Sequence, residues 1–99
     1  MDIKPTNNAT GLKVTKTGFL GRKVTVVADF GYERKQTAVL SRKRLLKAVT
    51  NLKDGGVKDF HSNLQRIHQT GDKLRLFFKP VNCCDLVVAL KSEVIEALN

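Results

Sequence analysis

The chain contains no tryptophan, two cysteines, two prolines and nine acidic residues in a length of 99. Each scarcity excludes something. The cysteines, Cys83 and Cys84, are adjacent. Neighbouring cysteines seldom reach disulfide geometry without strain, and one pair cannot build the framework of a secreted mini-protein. A reduced, cytoplasmic setting is the expectation. No run of about 18 apolar residues occurs, so no membrane-spanning helix and no membrane partner are expected. The opening Met-Asp-Ile-Lys-Pro-Thr-Asn-Asn lacks the apolar core of a secretory signal.

Chemical signatures are equally scarce. No glycine-rich phosphate loop ending in Lys-Ser or Lys-Thr is present. His61 and His68 could imitate a zinc set with the cysteines, but adjacent cysteines lack the usual ligand spacer. Asp59, His61 and Ser62 are neighbours in sequence, whereas the members of a catalytic triad meet through the fold. Asp29-Phe30-Gly31 matches a kinase tripeptide in a chain too short for a kinase. The residues therefore predict a protein that is not an enzyme and holds neither cofactor nor metal.

Positive charge is what the chain has in quantity. Eighteen Lys and Arg give a formal net charge of +9, and its placement is uneven. Residues 1–50 carry eleven basic side chains against Asp2, Asp29 and Glu33, a net of +8, and the remainder nets +1. Such asymmetry points to an interaction surface rather than to generic solubility.

A coarse pass along the chain locates the charge. Residues 1–10, with Pro5, Asn7 and Asn8, read as a flexible tail before a single domain over residues 11–99. Leu12 and Val14 alternate with polar neighbours, and a turn follows at residues 17–21. Val24, Val26, Ala28, Phe30 and Tyr32 recur at period two, and a further strand is expected over residues 36–40. Connections this short imply antiparallel pairing. Ser41 is placed to cap a helix whose stripe is Leu45, Ala48, Val49 and Leu52, ended by Asp54-Gly55-Gly56. Val57, Phe60, Leu64 and Ile67 fit a second helix, with the rival reading a hairpin pairing residues 64–68 with 74–78. Pro80 would end that last strand.

Residues 86–98 fit a helix capped by Asn82, or else a strand over residues 86–90 and a helix capped by Ser92. Leu86, Leu90, Val94 and Leu98 would give that helix a face for the core or for a homodimer. No internal sequence repeat appears. The class is α+β: a small antiparallel sheet of three to four strands with two or three helices, in the order β-β-β-α-(α or β)-β-α.

One junction breaks a local preference. Arg42, Lys43 and Arg44 fill the first turn after Ser41, where the helix dipole disfavours each exposed cation by roughly 0.3–1 kcal/mol. A bound anion would remove the conflict. Phosphate contacts are therefore expected at Arg42, Lys43, Arg44 and Lys47, with Arg34, Lys35, Arg22 and Lys23 as secondary candidates. The expected partner is nucleic acid, DNA or RNA, held mainly by its backbone in a regulatory or accessory role. The competing expectation is a modulator, for example a phage- or plasmid-type effector, that docks this basic face on an acidic protein. A helix-turn-helix is disfavoured because its second helix, the groove reader, would be the less basic one. The aromatic residues are expected mainly in the core of a tryptophan-free protein.

Overall fold

A computed structural model describes residues 1–79 and 86–99. It confirms the α+β class but divides the strands between two antiparallel sheets of four, each followed by a helix. The first sheet runs β1 (Asp2–Ile3), β2 (Gly11–Thr17), β3 (Lys23–Asp29) and β4 (Lys35–Ser41), and continues into α1 (Arg42–Asn51). The second runs β5 (Val57–Asp59), β6 (Leu64–Thr70), β7 (Lys73–Phe78) and β8 (Leu86–Leu90), and continues into α2 (Lys91–Leu98). Within each sheet spatial order follows chain order. The architecture is thus a ββββα unit used twice, although the sequence shows no repeat.

Period-two alternation places the core. Val14, Val26 and Ala38 align across the first sheet and point inward, as Leu76 and Val87 do in the second. Both inner faces join one apolar cluster with Leu45 and Val49 of α1 and Val94 and Leu98 of α2. Fully burying a side chain such as Leu64 or Phe78 contributes about 1.5–3 kcal/mol. Phe30 packs its ring edge-on against Phe78 at 6.0 Å, so the period-two strand stops at Asp29 and Phe30 opens the reversal.

Residues 57–69 form two strands, β5 and β6, joined by a loop at residues 60–63, and not a helix. Part of the misleading spacing has a specific cause: the register shifts between Leu64 and Arg66, and the extra residue of that bulge lets Leu64 and Ile67 both face inward although three apart. A kinked strand thereby imitates helical periodicity. Gln65, at the bulge, buries its Oε1 without a partner among the described residues, a cost of about 1–3 kcal/mol. The β6–β7 hairpin closes through Gly71-Asp72, with Gly71 at φ 62°, the left-handed start that a two-residue loop needs.

At the C-terminal end the strand-plus-helix reading holds, with Leu90 rather than Ser92 at the helix start. Val94 and Leu98 are buried against this chain's own elements, and α2 packs on α1 and β2. Leu86 and Leu90 belong to β8. Of the four residues offered as a homodimer face, Val94 and Leu98 are thus taken up by the core. Leu86 and Leu90 are half-buried on the outer side of β8 and share no helical face with them. The first ten residues are likewise tied down. Ile3 is buried in the β1–β2 pairing, and residues 6–7 lie along the outer edge of β8. Pro80, Asn82, Cys83 and Cys84 lie outside the described residues. No helix among the described residues is long and apolar enough to cross a membrane.

Candidate functional site

Ser41 caps α1 as the sequence implies, its hydroxyl accepting from the Arg44 amide at 3.4 Å. The cations that follow it do not share one role. Arg42 is half-buried and turned inward. Its Nε donates to the Gly21 carbonyl at 2.7 Å and its Nη1 to the Leu98 carbonyl at 3.0 Å. Leu98 is the last residue of α2, so the charge sits at the negative end of the second helix. What its own dipole disfavours by some tenths of a kcal/mol, the other helix offsets in kind, and two charge-assisted hydrogen bonds are added. For Arg42 the conflict at this helix start is thus resolved inside the fold, whereas Lys43 and Arg44 stay exposed.

Lys91 repeats the device. It is the first residue of α2, and its Nζ donates to the Leu52 carbonyl at the end of α1 at 2.8 Å and to Gln69 Oε1 at 2.7 Å. Edge strands are clasped in matching fashion. Asn7 Nδ2 donates to the Leu86 carbonyl at 2.9 Å, while its Oδ1 accepts from Val88 N at 3.2 Å. In the other half, Asn63 Nδ2 donates to the Thr37 carbonyl at 2.9 Å and the Ser62 hydroxyl to the Val39 carbonyl at 3.4 Å. A Thr-Asn pair and a Ser-Asn pair thus hold the two halves together.

The other candidate cations divide between two surfaces. Lys23 and Lys35 stand on the outer face of the first sheet with Lys13, all three exposed. Between them run Thr15, Thr17, Thr25, Thr37 and Val27. Two carboxylates share this face: Asp2, opposite Lys13, and Asp29, whose Oδ1 is engaged by the Gly31 amide at 2.9 Å. Arg22 lies in the β2–β3 turn with its guanidinium 6.0 Å from the Phe19 ring, and Arg34 lies in the β3–β4 turn, 5.9 Å from the Phe30 ring. Arg44 and Lys47, by contrast, line a cleft of about 740 Å³ between α1 and β5. Lys43 is exposed and outside that cleft.

Sequence reasoning misses the turn tips. Phe19 is 78% exposed, Leu20 74% and Tyr32 99%. They sit at opposite ends of β3, whose seven residues span roughly 20 Å. Among the described residues, the non-glycine positions with positive φ are Leu20, Tyr32 and Glu33, at 57°, 53° and 62°. All three belong to these two tips. A left-handed non-glycine residue costs on the order of 1–3 kcal/mol and is concentrated at functional loops. Gly18 and Gly21 beside Leu20, and Gly31 beside Tyr32, are the signals that could have found them.

On the second sheet the corresponding outer face carries Arg66, His68, Lys73 and Arg75 around half-buried Phe77. Arg66 is engaged there: its Nε meets Asp59 Oδ1 at 2.7 Å. That hydrogen bond holds the Asp59 carboxyl below its ordinary value, and raises Arg66 in turn. His61 lies within electrostatic reach of Asp59, and no group of three His, Cys, Asp or Glu side chains suited to a metal is found among the described residues. No protein-family model, curated protein or solved structure matches the chain, and its chemistry has to be read from these surfaces themselves.

Proposed function

We propose that the protein binds single-stranded nucleic acid in the cytoplasm across the outer face of its first sheet, as an accessory rather than a catalytic factor. Lys13, Lys23 and Lys35 contact phosphates on the sheet, Arg22 and Lys43 extend the path past the β2–β3 turn, and Arg34 extends it at the other end. Phe19 and Tyr32 supply rings on which bases stack. One observation carries the reading: two exposed aromatic rings, each held on a strained turn, bracket a lysine- and threonine-rich sheet. A monomer gains nothing from exposing such rings, whereas base stacking contributes about 1–3 kcal/mol for each base. Cations along the strand supply the remaining affinity through counterion release. Duplex DNA hides its bases in the stack and cannot use the rings, so the single-stranded form is preferred.

The test is fluorescence anisotropy with single-stranded DNA, single-stranded RNA and duplex DNA over a range of salt. With about five phosphate contacts on a single strand, log K falls against log salt with a slope near −3.5. Single strands are expected to bind at least about tenfold more tightly than duplex, the contribution of one stacked base. Absence of binding to all three polymers at low salt, or a flat salt dependence, overturns the reading.

A further inference from the structure

The cleft between α1 and β5 is a separate surface with different chemistry. Its floor is apolar, made by Leu45, Ala48, Leu52 and Phe60, and its walls include Val39 and Val57, 52% and 51% exposed. Around it stand Arg44 and Lys47, which share one side of α1, and Lys58 and His61 from the β5 side. Arg44 and Lys47 meet no acceptor among the described residues, while Lys58 and His61 lie within electrostatic reach of Asp59 without a hydrogen bond to it. The carboxylate in the lining, Asp59, is taken by Arg66.

Main-chain geometry adds a second feature. β5 is the terminal strand of its sheet and pairs on one side with β6. The outer edge of β4 is occupied by the Ser62 and Asn63 side chains, and that of β8 by Thr6 and Asn7. The edge of β5 has no such cover among the described residues, and an uncovered edge is a template for an added strand.

We propose that this cleft binds an extended acidic segment of a partner protein, which adds as a strand to the edge of β5. Its apolar side chains would rest on Val39, Val57 and Leu52, and its carboxylates would meet Arg44, Lys47 and Lys58. Such main-chain pairing with alternate side-chain pockets is an established recognition mode. A nucleic acid fits the cleft less well, because it has no amide backbone to pair with β5 and no aliphatic groups to cover the valines. The proposal does not depend on nucleic-acid binding by the first sheet.

The probe is a short fluorescein-labelled peptide alternating Glu and Val, with a Lys–Val peptide as control, followed by anisotropy and by amide shifts in NMR. The intact chain is expected to bind the Glu–Val peptide, with shifts centred on residues 57–60. Arg44→Glu/Lys47→Glu should weaken it about tenfold or more, because each substitution replaces an exposed attraction with a like-charge repulsion. That variant should fold, since Glu at position 44 completes a capping box with Ser41. A Val57→Asp chain, altered at an exposed wall, should lose the peptide as well. Lys13→Glu/Lys23→Glu/Lys35→Glu should leave peptide binding unchanged while weakening that of the oligonucleotide about hundredfold, which separates the two readings. Equal affinity for the Lys–Val peptide, indifference to both cleft variants, absence of binding, or an oligonucleotide that shifts the same cleft amides and displaces the peptide would each overturn the proposal.

Discussion

The two halves of the chain share a skeleton and differ in what they show to solvent. Each has four antiparallel strands in chain order, then a helix whose first residue is a cation reaching the end of the other helix. Each clasps the other's edge strand with an asparagine. Yet the first half carries +8 and the exposed rings of Phe19 and Tyr32, while the second carries +1 and pairs Arg66 with Asp59. Residues that join the halves are common to both; residues that face outward are not. Function is therefore to be sought in the difference, on the first sheet and in the cleft beside it.

The strongest way to break this comparison is charge reversal on one sheet at a time. Lys13→Glu/Lys23→Glu/Lys35→Glu should lower single-strand affinity about hundredfold, at roughly 1 kcal/mol for each exposed cation. Lys73→Glu/Arg75→Glu on the second sheet should change it less than about threefold. Equal losses in anisotropy titrations would erase the distinction between the halves.

The shared skeleton is tested next. Arg42→Ala removes two charge-assisted hydrogen bonds to carbonyls and should cost about 2 kcal/mol in urea unfolding, without a change in slope. Lys91→Ala should cost a comparable amount because it holds both the Leu52 carbonyl and Gln69. Two variants as stable as the parent would remove the crossed clasp from the account. Phe19→Ala and Tyr32→Ala should each weaken oligonucleotide binding about tenfold with little effect on stability, since both rings are already in water.

Smaller effects sharpen the picture. Leu20→Gly relieves a left-handed residue and should leave stability unchanged or raise it by about 0.5–1 kcal/mol. A clear drop in the melting temperature would show that the Leu20 side chain packs usefully. The smallest effect concerns the second sheet. Hydrogen bonding to Arg66 lowers the Asp59 pKa below 3.8. The contribution of that pair is thus present above the ordinary aspartate value and is lost as pH falls through the lowered one. Asp59→Asn should match the parent in relative stability at about pH 2 and fall slightly behind at about pH 5. Because both groups are exposed, a large gap between the two melting curves would contradict the assignment.

Much of the skeleton is legible residue by residue. The alternation from Val24 to Ala28, the Ser41 cap and the apolar stripe of Leu45 and Val49 are local signals, and each stands in the structure. Residues 57–69 are not, because a loop at residues 60–63 and a bulge at Gln65 interrupt the strand alternation and leave apolar residues three and four apart. Residue type alone assigns Phe19 and Tyr32 to the core. Their exposure follows from turn geometry that no periodicity encodes. Arg42 resembles an anion ligand in sequence because its nearest helix end is its own; the carbonyl it serves is 56 positions away.

By itself, the sequence determined the α+β class, the uneven charge and the start of α1, since composition, period and caps act over a few neighbouring residues. Tertiary structure alone decided the split into two sheets, the crossed clasps of Arg42 and Lys91, and the division of the cations between a sheet face and a cleft. Those depend on contacts between residues far apart in the chain, and a charge declares its use only when the group it meets is in place.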